Sequence, residues 1–178
     1  MQITLKNLEN VTADKVEFIE KQATELLKFV LESRSLLTKE AHTTLNWIFA
    51  IIIGSSGYAY KLLDSETPRW WLVCPLIVAA TLAGIQGLIL FHGALRNVPI
   101  LPIGNDPKNL ATDTFMAYEV HWMRLAEACQ LQERIDDARD HNGRVGDVIN
   151  KTRWAIASVP IIACAVAAIT KYAIAALG

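Results

Sequence analysis

Asp136, Asp137 and Asp140 stand at the D-D-x-x-D spacing with which paired carboxylates hold Mg²⁺ against a diphosphate. Arg134, Arg139 and Arg144 interleave with them, and Asp140 and Arg144 are four residues apart, as ion-pair partners on a helix are. A solvated helix face accounts for the run. Arg134 and His141 stand close by with six residues between them. His42 and His92 could meet across two helices as ligands of a haem iron or another metal. No carboxylates at a set spacing stand by to orient them, so anchoring at a membrane interface is the simpler reading. There is no P-loop, no G-x-G-x-x-G, no Cys or His pair at metal spacing and no nucleophile elbow. The expectation is a protein that is not an enzyme and holds no cofactor or metal.

Two of these runs resemble known patterns. D-D-x-x-D is similar to the acidic motif of prenyl-diphosphate enzymes, which need a second such motif and a larger helical cavity. The Arg134/His141 pair resembles the R-x(4–6)-H motif of helical HEPN ribonucleases, in which two copies meet in a dimer to cleave RNA. Ile135 follows the arginine here where that family carries a polar residue. A membrane-tethered HEPN-like ribonuclease is the minor alternative.

Polar and small residues within apolar sequence are more telling. Gln86 lies deep in an apolar block, and a lone amide in lipid needs a hydrogen-bond partner. Thr81 shares that block, and Gly54, Ser55, Ser56 and Gly57 interrupt another. Gly84 and Gly87 end the small-residue ridges Ala80–Gly84 and Ala83–Gly87; Ala50–Gly54, Ala163–Ala167 and Cys164–Ala168 repeat the pattern. Gln86, Thr81, Ser55, Ser56 and these glycines are the expected pore or helix-contact positions. No Asp or Glu lies in the apolar cores, which speaks against a proton relay, and no inverted repeat suggests a carrier.

These residues belong to three apolar blocks: Leu45 to Leu63, Trp70 to Leu95 and Trp154 to Leu177. Hydrophobic residues make up 52% of the 178, enough with this clustering to predict an integral membrane protein. Only Asp64 to Arg69 joins the first two blocks, a tight helical hairpin. Residues 1–44 and 96–153 hold fourteen Lys and Arg against three at Lys61, Arg69 and Lys171, predicting N-in, C-out. Trp47, Trp70, Trp71 and Trp154 sit at block ends, where aromatic belts belong. With 17 basic against 18 acidic residues, direct nucleic-acid binding is not expected. Cys74, Cys129 and Cys164 suggest no disulfide framework, and the polar first 44 residues no secretory leader.

The expected order is a cytoplasmic amphipathic helix over 1–44, a membrane hairpin over 45–95, a Pro-rich connector plus second helix over 96–153, and a third span over 154–178. In the first helix Val16, Ile19, Ala23, Leu26, Val30 and Leu37 form a seam, with Ser33 in its one polar slot. Glu17–Lys21, Lys21–Glu25 and Lys28–Glu32 are possible (i, i+4) pairs, and Thr12 is a plausible N-cap. In the second helix Phe115, Tyr118, Trp122, Leu125 and Cys129 share a stripe. The connector from Asn97 reaches at most roughly 45 Å, whereas a straight helix over 110–152 needs about 64 Å. That helix should therefore bend, tilt or break, with Gly143 and Gly146 the natural places. A short alternating stub over Met1–Leu8 is the one strand-like stretch. The fold class is all-α, with three transmembrane helices and long cytoplasmic helices forming a bundle or coiled coil.

In outline this resembles the small multi-span membrane effectors of bacterial antiphage defence, which join a short transmembrane bundle to a helical sensing module. The resemblance lies in architecture and implies membrane permeabilisation once a cytoplasmic partner signals infection. The leading expectation is a homo-oligomeric inner-membrane channel or membrane-perturbing effector, gated through its cytoplasmic helices. Three short spans cannot enclose an aqueous path alone, so a pore needs several copies. The alternative is a non-conducting membrane anchor that recruits a soluble cytoplasmic protein through either seam.

Overall fold

The computed structural model describes residues 12–96 and 119–177, apart from the side chains of His121 and Leu177. Those residues contain helix and no strand. Helix α1 is Ala13–Leu63, α2 is Trp70–Leu90 continued by a π-helical turn over Phe91–Leu95, and α3 is Val120–Leu177. The Met1–Leu8 stub and the connector from Asn97 lie outside the described residues.

Each helix end has a local cause. The Thr12 carbonyl accepts the Lys15 and Val16 N–H groups at 3.0 and 3.1 Å, so α1 starts where the N-cap was expected. At its far end the Asp64 N–H bonds to the Tyr60 carbonyl, and the Ser65 hydroxyl donates to Leu62 at 2.7 Å. Arg69 ends the hairpin, its carbonyl accepting from Leu72 and Val73. Both α1 and α3 run on from charged into apolar sequence. Helix α3 continues through Gly143 and Gly146, so of the bend, tilt or break expected there it shows no break. A helical glycine costs only about 1 kcal/mol, and Asn142 and Val145 on either side of Gly143 are tied to α1.

The chain divides into two compact units. The first contains the described residues 12–36 and 119–143. Here α1 and α3 run parallel, Val16 packing with Leu125 and Cys129, and Leu27 with Leu131 and Ile135. Val16, Glu20, Ala23, Leu27, Val30 and Arg34 recur with the 4-3 spacing of a heptad seam, and none of them is exposed. Arg124, Ala128, Leu131, Ile135, Ala138 and Asn142 answer on α3 with the same period. Each fully buried leucine in such a seam contributes about 1.5–3 kcal/mol.

The second unit contains residues 37–96 and 144–178. Its core takes Ala41 and Ile48 from α1, Ala83 and Leu90 from α2, and Val145, Ile149 and Ile156 from α3. Helix α2 is antiparallel to the other two. A Cβ on Gly87 would lie 3.3 Å from Ile48 Cγ2, so the absence of a side chain there brings α1 and α2 close.

Two helices are long and apolar enough to cross a membrane: Trp70–Leu95, and α3 within Trp122–Ala176. The apolar window of the first is 28% buried and that of the second only 6%. In α1, Gly54, Ser55, Ser56, Gly57 and Lys61 dilute the corresponding stretch.

Candidate functional site

The positions expected to line a pore or a helix contact separate by environment. Gly87 is buried against α1, as above. A Cβ on Gly54, Gly57 or Gly84 would meet nothing within 4 Å, so these glycines leave open surface. Thr81 is exposed and its hydroxyl donates back to the Ile77 carbonyl at 2.9 Å, the usual way a helical threonine satisfies itself. Gln86 and Ser55 are half-buried and Ser56 is exposed. None of these three side chains makes a hydrogen bond among the described residues.

Apolar surface surrounds them. On α3 no residue from Ile161 to Ala176 is buried; Ile161 and Ile169 are 73% and 68% exposed. A wholly apolar groove of about 220 Å³ lies between Tyr58, Pro75, Ala79 and Ala163, with Cys164 and Ala167 at its side. At the hairpin end the Lys171 ammonium lies 5.7 Å from the centre of the Trp71 ring, a cation–π distance.

The residues of the expected α1 seam differ in burial. Val16 and Val30 are buried, Ala23 and Leu37 half-buried, and all four occupy one column of the heptad. The second column holds Leu27 at 2% exposure, whereas Ile19 and Leu26 stand half-buried at its edge. The occupant opposite is α3 of the same chain. Leu125 lies in the contact, Trp122 is 38% exposed, and Phe115 and Tyr118 lie outside the described residues.

Polar side chains punctuate the contacts within each unit. In the first, Arg124 donates through Nε to Glu20 at 2.8 Å and reaches Glu17 at 3.5 Å. The hydrogen bond and charge of Glu20, then the charge of Glu17, raise the guanidinium pKa above its ordinary value. Glu17 and Glu20 thus turn to α3, and Glu17–Lys21, Lys21–Glu25 and Lys28–Glu32 do not close. Asn142 donates to the Val30 carbonyl at 2.9 Å, leaving its buried Oδ1 without a partner among the described residues.

In the second unit Arg153 joins α3 to α1. Its Nη1 lies 3.1 Å from a Glu40 carboxylate oxygen, and its Nε donates to the Thr44 hydroxyl at 3.2 Å. Thr44 is 2% exposed and itself donates to the Glu40 carbonyl. Thr152 is 1% exposed, and its hydroxyl finds no partner among the described residues.

No group of three or more His, Cys, Asp or Glu comes together among the described residues. His42 and His92 are exposed, the latter edge-on to the Phe91 ring at 5.8 Å. Asp136 accepts from Gln132 at 2.9 Å, one turn earlier on the same helix. Arg134 is held by Glu127 at 3.6 Å and by Gln130.

No protein family, curated protein or solved structure matches this chain. Function must therefore be argued from the two units themselves.

Sequence reasoning missed two features. A Cβ on Gly93 would stand 2.9 Å from Val148 Cγ1, the closest approach of any described glycine to another helix. The Arg153–Glu40–Thr44 clasp is the other. Glu40 and Thr44 are one helical turn apart, the only local hint, and nothing in sequence pointed across to residue 153.

Proposed function

We propose that the chain is a three-span, N-in, C-out protein of the cytoplasmic membrane whose copies assemble into a channel or membrane-perturbing effector. The observation that carries this reading is Gln86, an amide half-exposed on an apolar helix with no hydrogen bond among the described residues. Water would satisfy such a group at no cost, but hydrocarbon cannot. A neighbouring copy can, and open glycines at 54, 57 and 84 leave room for close helix approach. The bare apolar face of α3 supplies the remaining lipid- or copy-facing surface. The α1–α3 pair then serves as the coupling element, moved by a cytoplasmic signal. The likeness in architecture to membrane effectors of phage defence supports infection as that signal.

The test is ion flux from vesicles holding the purified protein, with copy number read by native mass spectrometry. Gln86→Leu should alter flux and leave the α-helical content intact. Unchanged flux and copy number in that variant would remove the role of the amide.

A non-conducting anchor is the second reading, and a specific surface favours it. Phe18 and Phe29 are each 65% exposed and Leu36 59% exposed on α1. At about 100° per residue the three fall within about 20° of one another, on an exposed face of α1 outside the heptad seam. A soluble partner would dock there and not on the seam. Replacing Phe18 and Phe29 with serine should release a co-purifying partner and leave flux unchanged; flux lost together with the partner would favour the gated channel.

A further inference from the structure

The second unit carries a basic boundary that neither reading uses. Lys39 and His42 on α1, His92 in the π turn, Arg96 just after it and Lys151 on α3 are all exposed. None has an ion-pair partner among the described residues, although Arg124, Arg134 and Arg153 all do. They belong to one level of the fold. Gly93 abuts Val148, one turn before Lys151, while Ala41 shares a core cluster with Leu90 and Val145, and Ala94, Leu95 and Val148 pack against that cluster. Among the described residues the acids at this level are Glu40, already held by Arg153, and the exposed Asp147.

Apolar surface starts immediately beyond these cations, and in one direction. On α3 the exposed Trp154 follows Lys151 by three residues and leads into the apolar stretch. On the antiparallel α2 the exposed Phe91, Ile89 and Leu88 precede His92. Unpaired cations at the rim of an apolar wall match a ligand with an anionic head and hydrocarbon tails. A small soluble anion would use the first and ignore the second.

We infer that Arg96 and Lys151, with His92 beside them, bind the phosphate of an anionic phospholipid whose acyl chains lie along α2 and α3. The lysine and arginine supply charge, and an imidazole N–H adds a donor to a phosphate oxygen. The inference rests on the membrane reading above but not on conduction.

Brominated lipids test it, because bromine on an acyl chain quenches nearby tryptophan. The full chain is reconstituted in phosphatidylcholine vesicles, with brominated phosphatidylglycerol or brominated phosphatidylcholine as the minor lipid. Wild type should favour the anionic lipid by about tenfold in relative association, and Arg96→Gln/Lys151→Gln should bring the ratio close to one. Lys151→Arg should keep it, which separates loss of charge from loss of fold. Inorganic phosphate at millimolar concentration should leave the preference in place. A wild-type ratio of one, an unchanged ratio in the double variant, or full competition by inorganic phosphate would overturn the assignment. A chain that fails to float with pure phosphatidylcholine vesicles would instead overturn the membrane reading.

Discussion

Gly93 and Val148 meet so closely that a methyl group on the glycine would lie 2.9 Å from one Val148 methyl and 3.0 Å from the other. Valine is branched at Cβ and cannot swing a far end aside, so the helices themselves would have to move. The π turn over Phe91–Leu95 brings this glycine against α3, consistent with the association of π turns with sites of local demand.

Gly93→Ala should therefore destabilise the second unit by about 1–3 kcal/mol, the usual range for overpacking. Thermal unfolding of purified protein reads this directly. Val148→Ala in the same chain should restore most of the loss by removing both obstructing methyls. A Gly93→Ala protein as stable as wild type would mean that the two helices separate freely there.

The heptad columns of α1 make Leu27 and Leu26 a sensitive pair. Leu27 is 2% exposed among Leu131 and Ile135, whereas Leu26 stands half-buried beside them. Leu27→Ala should cost about 2–4 kcal/mol through lost burial and the residual cavity, and Leu26→Ala less than about 1 kcal/mol. Equal losses, or the reverse order, would shift the seam back by one residue.

That one-residue shift shows what was legible beforehand and what was not. The column Val16, Ala23, Val30 and Leu37 reads plainly because all four are apolar. The neighbouring column contains Glu20 and Arg34, so an apolar pattern drifts to Ile19 and Leu26 instead. Glu20 is tolerated in a seam only because Arg124, about a hundred residues on, lies 2.8 Å from it. Pairings of that kind have no local signature. Helix limits were easier: the charged turn Asp64–Arg69 and the extended Arg96 stop α1 and α2 where charge interrupts apolar sequence. Gln86 stood out as an amide in an apolar block, but its lack of a partner among the described residues is a tertiary fact. So is the occupancy of the α1 seam by α3, which periodicity left open between one chain and two.

Asn142 sits in the heptad seam of the first unit, donating to Val30 while its own Oδ1 is buried and unmatched among the described residues. An asparagine at such a position sets register at a cost in stability. Asn142→Leu should raise the thermal midpoint, by about 1 kcal/mol in free energy, since no unmatched acceptor remains. Asn142→Asp should lower it by about 1–3 kcal/mol by placing charge where water is scarce. If leucine is the more damaging of the two, the Val30 hydrogen bond outweighs the buried oxygen.

The Arg153–Glu40 pair is partly exposed, at 39% and 52% of the two side chains, so Coulomb attraction alone is a weak tie. The buried Thr44 hydroxyl changes that estimate, because it accepts from the same guanidinium and fixes where the charge can point. A double-mutant cycle with Glu40→Gln and Arg153→Gln should give a coupling of about 0.5–1 kcal/mol in low salt, shrinking as salt screens the pair. Thr44→Val should reduce that coupling further, since the arginine loses its orienting acceptor. Under the channel reading the clasp lies beside the boundary where α3 turns from charged to apolar, so Arg153→Gln should also change the flux measured from vesicles. Coupling present with flux unaffected would make the clasp a structural tie and place any gate elsewhere.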